Sequence, residues 1–415
     1  MQTYSFLFLV LIGQSNGQIK IKTADPNNNT LASISNAHGC GFNNNCYVNH
    51  IQQLSSAHSS YVVTCGDDQL IKLWKLNSSD PVGGDFLIPQ CTLSGHTGFV
   101  FETLEVTSVT DTLASASQDG SIILWSISQC KQMKIFTVGT IVYTLENYPG
   151  GTTIVSGDYQ GRIIIWDVVK GTQTLFATLA SALNDLQLFG SNNQFLGAAT
   201  NNNCNGNCST VTNYDQGSLW MFNVFNSGFD VNNAKTVTAA AKYIYFVYGD
   251  TFLLDSLNLD LTTGSIDAHT SDLTAINPIQ EISDDFATTS LDGTAKTWSI
   301  ANRKLLNTYR GHTGGIYGFA LDHVAQPNKA NKQIWLFVGS LDTNVNTYSI
   351  PHSVGNPLVG VYSSGEQVTS LCIVNKSSKR VKGSISSGAS RSFFKPMQKL
   401  SVYIFYFICI LIVIQ

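Results

Sequence analysis

The residue types able to do chemistry fall into three small groups, in a chain whose charged residues are only 12% of the total. The first is two close cysteine pairs, Cys40/Cys46 and Cys204/Cys208, each in an Asn- and Gly-rich stretch. His38 and His50 flank the first pair, yet neither pair has CxxC spacing and no second cluster completes a tetrahedral zinc site. Loops of that composition have little core to hold them, so each pair reads as a disulfide staple. The second group is Asp284-Asp285, adjacent acids in a predicted turn where solvated carboxylates suffice. The third combines His96, Ser115 or Ser117, Asp119 and Trp125, with the Asp six residues before the Trp. The chain has no P-loop, no GxGxxG after a strand, no HExxH, no EF-hand loop and no GxSxG elbow. No catalytic residue, cofactor or metal ligand is therefore assigned.

The third group recurs, and the recurrence points to the elements that must hold it. Leu93 to Ile127 runs LSGHTGFVFETLEVTSVTDTLASASQDGSIILWSI: short alternating segments, a break at Asp119-Gly120, and a strand ending on Trp125. Asp68–Trp74 and Asp292–Trp298 repeat the interval, the latter with His269. Asp342–Tyr348 repeats it with His312, a Tyr replacing the Trp. This pattern resembles a WD40 repeat, ending in Trp-Ser at Trp125 where the family usually has Trp-Asp, and the resemblance covers roughly residues 18–385. It implies an all-β fold, a WD40-like β-propeller of seven or eight four-stranded blades, stacked because a lone sheet cannot bury both faces. It also implies that the His, Ser or Thr, Asp and Trp of each repeat form a buried hydrogen-bonded staple, not catalytic groups.

Strand-c positions fall near Trp74, Trp125, Trp166, Phe222, Leu259, Trp298 and Tyr348. Residues 18–25 and 30–38 read as strands c and d of an incomplete blade, and residues 368–374 and 379–388 as its strands a and b. Pairing of these N- and C-terminal strands would close the ring and leave no open edge. The Trp166 blade has Gln160 at the turn-Asp position and Val138-Gly139 in place of Gly-His, and the next has Gln216 there. The blade after that, residues 243–259, shows strand alternation only. These three are expected to be held by apolar packing alone.

The ends suggest a compartment. Tyr4 to Ile12 is a short apolar run followed by small residues, read as a signal peptide over residues 1–17 with cleavage before Gln18; a buried first strand is the alternative. Residues 386–399 form a small-residue and basic spacer, and residues 400–415 an uncharged apolar tail. That order matches a GPI-attachment signal with Ser387 as candidate lipid site, the alternative being a retained membrane helix. Sequons at Asn28, Asn77, Asn207 and Asn375 suit a glycoprotein. Cys65, Cys91, Cys130 and Cys372 lie in or beside predicted strands and read as buried thiols, with their pairing left open. With 23 basic residues against 27 acidic and a net charge of −4, there is no electrostatic footprint for nucleic acid.

Both Cys-paired stretches are insertions, Gly39 to Asn49 between strands d and a, and Asn201 to Gln216 between strands b and c. In blades whose strands alternate direction, d–a and b–c loops emerge on one face, which is thus the candidate binding surface. The expected function is a non-catalytic protein-binding scaffold at the cell surface or in the secretory pathway, anchored to membrane through its C-terminal lipid or tail. Two alternatives stay open: an intracellular scaffold tethered to the cytosolic side of a membrane, and a propeller hydrolase or carbohydrate-binding protein with a loop-borne site.

Overall fold

The structure, a computed structural model, describes residues 8–23, 30–40, 46–55, 58–77, 86–179, 181–189, 195–204, 219–223, 244–248, 251–256, 269, 271–279, 285–299, 304–322, 334–350 and 358–375. Strands account for nearly all of the regular structure, and no α-helix occurs among the described residues.

The chain opens with β1 (Phe8–Gln14), β2 (Ile19–Thr23) and β3 (Thr30–Ile34). A first complete sheet holds β4 (Val48–Gln53), β5 (Tyr61–Gly66), β6 (Ile71–Leu76) and β7 (Leu87–Leu93), with Trp74 on β6. The Trp125 sheet holds β8 (Val100–Glu105), β9 (Thr112–Ser117), β10 (Ser121–Ser126) and β11 (Lys131–Thr137). The Trp166 sheet follows with β12 (Val142–Asn147), β13 (Thr153–Asp158), β14 (Arg162–Asp167) and β15 (Thr172–Thr178). A five-stranded sheet contains β16 (Ser181–Phe189), β17 (Phe195–Cys204), β18 (Leu219–Asn223), β19 (Ile244–Tyr248) and β20 (Thr251–Ser256). The Trp298 sheet is β21 (Leu273–Ile279), β22 (Asp285–Ser290), β23 (Ala295–Ser299) and β24 (Lys304–Tyr309). The Tyr348 sheet is β25 (Ile316–Asp322), β26 (Ile334–Ser340), β27 (Asn344–Ile350) and β28 (Leu358–Ser363). The last strand, β29 (Val368–Asn375), returns to the start and pairs with β1, giving a composite sheet ordered β29-β1-β2-β3.

This is an all-β propeller with six four-stranded sheets and one of five strands among the described residues, which corrects the expectation of seven or eight four-stranded blades. The separate blade expected at residues 243–259 is instead the hairpin β19–β20, joined in parallel to β18 of the preceding sheet. Alternation marks strands but carries no information about which sheet receives them. Contacts between successive inner strands run β4–β8–β12–β16–β21–β25–β29 and return from β29 to β4.

The composite sheet departs from expectation in a second way. Its b position, expected from residues 379–388, is filled by β1, between β29 and β2. Leu9, Val10, Leu11 and Ile12 are fully buried there. The apolar run read as a cleaved leader is thus taken into the core as a strand. Cleavage before Gln18 would remove that strand whole.

Each sheet shows why it must have neighbours. Apolar residues of the Trp74 and Trp125 sheets interlock through Val63, Leu73, Val100 and Trp125, and those of the Trp125 and Trp166 sheets through Leu104, Leu124, Leu145 and Trp166. The composite sheet is covered on one side by the Trp74 sheet and on the other by the Tyr348 sheet. Inner and middle strands therefore bury both faces, and β9 is buried at all six positions. Outer strands such as β11 lie mostly in solvent, with Phe136 its one buried residue.

Candidate functional site

The b–c turn is the local device on which the face is built. Asp119 Oδ1 accepts the Ser121 N–H at 2.9 Å, and the residue between them, Gly120, takes φ 77°. The same bond forms at Asp292 to Thr294 (2.8 Å) and Asp342 to Asn344 (3.0 Å). Gly293 supplies the left-handed residue of one turn, whereas Gln69 and Thr343 adopt it at φ 68° and 70°, a conformation that costs a side chain of the order of 1 kcal/mol. The six-residue interval follows from this turn, which starts strand c, and the ring takes the same slot in five b–c pairs. Trp74 stands opposite Val62, Trp125 opposite Leu113, Trp166 opposite Ile154, Trp298 opposite Phe286 and Tyr348 opposite Leu336.

The staple then ties the d–a loop to that turn. His96 Nδ1 lies 2.8 Å from Asp119 Oδ2 and its Nε2 2.7 Å from Ser115 Oγ, which also accepts the Trp125 Nε1–H at 2.8 Å. Ser115 is thus the staple hydroxyl, while Ser117 Oγ donates to the Gly98 carbonyl. His269, Asp292, Thr288 and Trp298 repeat the set at 3.0, 2.9 and 2.8 Å. His312 keeps Asp342 at 2.9 Å, but Val338 offers no hydroxyl, so Nε2 donates to its carbonyl and the Tyr348 hydroxyl donates to the Arg310 carbonyl. Burial pushes the Asp119 carboxyl up, but bonds from His96, Ser121 and the Thr97 N–H outweigh it and hold it well below the ordinary range. Asp68 and Asp342 are lowered by the same contest of burial against hydrogen bonding.

Three elements of this network were not legible in the sequence. His38 is the staple of the Trp74 sheet, 2.8 Å from both Asp68 and Thr64, with Trp74 donating to Thr64 at 2.9 Å. Its separation from Asp68 is 30 residues against 23 for His96 and Asp119, and the loop closed by the Cys40–Cys46 disulfide lies in that stretch. The Trp166 sheet is not held by apolar packing alone, which corrects that expectation. Trp166 Nε1–H donates to Ser156 at 2.8 Å, and Arg162 pairs with the buried Asp158 at 2.6 Å while donating to the Val138 carbonyl. An Arg on strand c replaces the loop His in tying the two segments. Cys91 and Cys130, for which the sequence left pairing open, form a disulfide between β7 and the β10–β11 turn of the next sheet, which only the packing of neighbouring sheets brings together. Cys65 and Cys372 are buried thiols. The side chain of Cys204, together with Cys208, Asn28, Asn207, Ser387, residues 400–415 and the acid Asp284, lies outside the described residues, as does the Asn375 side chain.

The pinned loops surround the N-terminal ends of the inner strands, where aromatic side chains gather. Phe101 and Tyr143 have ring centroids 5.0 Å apart, and Tyr143 and Tyr159 6.5 Å. Tyr159 is 37% exposed and Tyr317 47%. Burial raises the Tyr317 phenol, with Tyr47 and Asp272 adding to the effect, so these groups share one region.

Just below, side chains stitch four of the inner strands, β4, β8, β12 and β16, each to the next. A register shift before His50, Glu102, Thr144 and Asp185 turns each toward the following sheet. There His50 accepts the Thr103 N–H at 3.4 Å, Glu102 the Leu145 N–H at 2.8 Å, Thr144 the Leu186 N–H at 3.1 Å and Asp185 the Ile276 N–H at 2.7 Å. Burial lowers His50 to about 4, and burial followed by the Asp185 charge raises Glu102 well above the carboxylate range. Burial likewise raises Asp185. Among the described residues no group of three or more His, Cys, Asp or Glu side chains is arranged to hold a metal ion.

Comparison with known proteins agrees with this geometry. Residues 36–75, 88–126 and 130–167 match the family model described as WD domain, G-beta repeat. Each match ends on strand c, and the second and third also take in the last strand of the preceding sheet, β7 and β11, so those two repeats straddle two sheets. A ribosome biogenesis protein, YTM1, of Chaetomium globosum is 39% identical over 71 residues, 17% of this chain and 14% of that protein. Mitogen-activated protein kinase kinase kinase A of Dictyostelium discoideum is 33% identical over 99 residues, 24% of this chain and 10% of that protein. The protein transport protein SEC13 of Debaryomyces hansenii is 38% identical over 66 residues, 15% of this chain and 21% of that protein. The chain therefore spans at most about a fifth of the length of these relatives.

Proposed function

We propose that this chain is a non-catalytic scaffold that binds protein partners through the d–a and b–c face of a ring shut by β1–β29 pairing. The observation that carries the reading is the pinned face itself. Four His–Asp staples fix its loops to the sheets, and solvent-exposed Tyr159 and Tyr317 stand where the inner strands converge. Rigid aromatics on a fixed loop frame bind at low entropic cost. The relatives are named for ribosome biogenesis, kinase signalling and protein transport, diverse tasks that suit a platform better than one conserved chemistry. A photo-crosslinking residue at Tyr317 should capture the physiological partner, whereas one at Val169, in the exposed β14–β15 turn, should not. Equal capture from both positions would remove the basis for the face.

We further propose display outside the cytosol with a C-terminal lipid or membrane tether, residues 1–17 being kept in the folded chain because β1 belongs to its core. Two disulfides, Cys40–Cys46 and Cys91–Cys130, support an oxidising compartment. A scaffold on the cytosolic side of a membrane is the competing reading, and it would leave those four sulfurs reduced. Release from membranes by a phosphatidylinositol-specific phospholipase, with a glycosidase-sensitive mobility shift, is the outcome expected of surface display. Retention after that treatment, with all four thiols open to alkylation in cells, is the outcome expected of the competitor.

A further inference from the structure

Four inter-sheet stitches form a consecutive series, and two of them are carboxylates separated by a single hydroxyl. Glu102 on β8 and Asp185 on β16 each spend one oxygen on a backbone N–H of the following inner strand, at 2.8 and 2.7 Å. Thr144, on the strand between, donates its hydroxyl to Asp185 Oδ1 at 3.5 Å and accepts the Leu186 N–H at 3.1 Å, and it also hydrogen-bonds Glu102. With its one proton given to Asp185, the hydroxyl has none left for Glu102. Two buried like charges around one hydroxyl repel strongly unless one keeps a proton.

We propose that Glu102 and Asp185 are a proton-sharing pair bridged by Thr144, and that loss of the shared proton loosens the grip between the Trp125, Trp166, five-stranded and Trp298 sheets. The surroundings offer no relief. Glu146 on β12 is a third carboxylate acting on Glu102, and its own oxygens take bonds from Gln187 and the Asn147 N–H. On β5 the buried Cys65 thiol is raised first by burial and then by Glu102. On β4, His50 is neutral above about pH 4, and β21 meets Asp185 with a backbone N–H. Burial raises both carboxyls, Asp185 to about 7. The stitch lies beneath the aromatic mouth, yet the inference needs no partner and stands whether or not that face binds protein.

Hydrogen exchange of the full chain across about pH 5 to about pH 9 tests it, after correction for intrinsic exchange. The Thr103 amide is the internal control, because His50 does not titrate in that window. Protection of the Leu145, Leu186 and Ile276 amides should fall about tenfold relative to Thr103 as pH rises, the effect of roughly one pKa unit of coupling. Glu102→Gln keeps an acceptor oxygen and removes one charge, so it should hold protection level with pH. A flat profile in the wild type, or the same fall in Glu102→Gln, overturns the proposal. Should that variant not fold, carboxyl carbon NMR of the wild type decides: one member of the pair titrating well above the ordinary range supports sharing, and both titrating within it refutes sharing.

Discussion

Ser115→Ala tests the claim that the His–Ser–Asp–Trp constellation is structural. The Ser115 hydroxyl is fully buried and serves two polar neighbours, His96 Nε2 at 2.7 Å and Trp125 Nε1–H at 2.8 Å. Alanine leaves both without this partner. A buried group stripped of its partner costs roughly 1–3 kcal/mol, so two cost roughly 2–6 kcal/mol. Ser115→Thr is the discriminating control, because Thr64 and Thr288 already do this work beside Trp74 and Trp298, and it should stay within about 1 kcal/mol of wild type. Equilibrium denaturation followed by Trp fluorescence gives the loss, and native-state hydrogen exchange of the β10 amides places it. The reasoning fails if the alanine variant lies within about 0.5 kcal/mol of wild type, the range of an ordinary surface substitution. It fails equally if alanine and threonine cost the same, since packing and not hydrogen bonding would then be at stake.

Asp119→Asn should lower stability at neutral pH yet flatten its acid dependence. The carboxyl is held below its unfolded value near 3.9, so its contribution is complete above about pH 4 and fades as pH falls through the lower folded value; acid titrations of both proteins followed by circular dichroism check the crossing. Opening Cys91–Cys130 by a double Ser substitution removes a cross-link of sequence separation 39, worth about 4 kcal/mol by loop-closure entropy, and the denaturation midpoint of the variant should no longer respond to reductant at this bond. Deleting residues 1–17 removes four fully buried aliphatic side chains of β1. At about 1.5–3 kcal/mol each they rival the stability of a whole domain, so the truncated chain should not fold, and a soluble, cooperatively unfolding product would show that β1 is dispensable.

What the sequence displays and what it conceals divide along one physical line. The turn Asp, the left-handed residue beside it and the ring six positions later belong to one hairpin, so their spacing is fixed by local geometry and survives in any repeat. His269 could be found because it keeps the 23-residue separation of His96 from its Asp, and His312 because Gly311-His312-Thr313-Gly314 repeats Gly95-His96-Thr97-Gly98, whereas His38 has neither mark and stands 30 residues before Asp68, ahead of the Cys40–Cys46 insertion. Arg162 was missed for a different reason: it restores the tie between turn and loop from strand c, a position where the repeat expects no charge. The parallel attachment of β19 to β18 leaves no mark on either strand, because pairing partner is not encoded in alternation.

Between sheets the sequence is silent, and there the consequences are largest. Whether Phe8–Gln14 is a leader or a strand depends on β29, more than 350 residues away, presenting an unpaired edge. Whether Cys91 is a thiol or half a cystine depends on a turn in the next sheet. The stitched row is the sharpest case. His50, Glu102, Thr144 and Asp185 share no chemistry beyond an acceptor atom, so no motif search unites them. What they share is a bulge that aims each at the following strand. The row ends where the equivalent positions become Ala275 and Gly318, residues with no acceptor to offer. An added Cβ at Gly318 would sit 3.0 Å from Leu371 and 3.1 Å from Val368, so apolar packing occupies the space a stitch would need. The sheets are therefore joined by two kinds of seam: polar from the Trp74 sheet to the Trp298 sheet and again where Thr369 and Ser370 of β29 donate to the Val48 carbonyl, and apolar from the Trp298 sheet toward β29. Only seams that carry a titratable side chain can respond to pH.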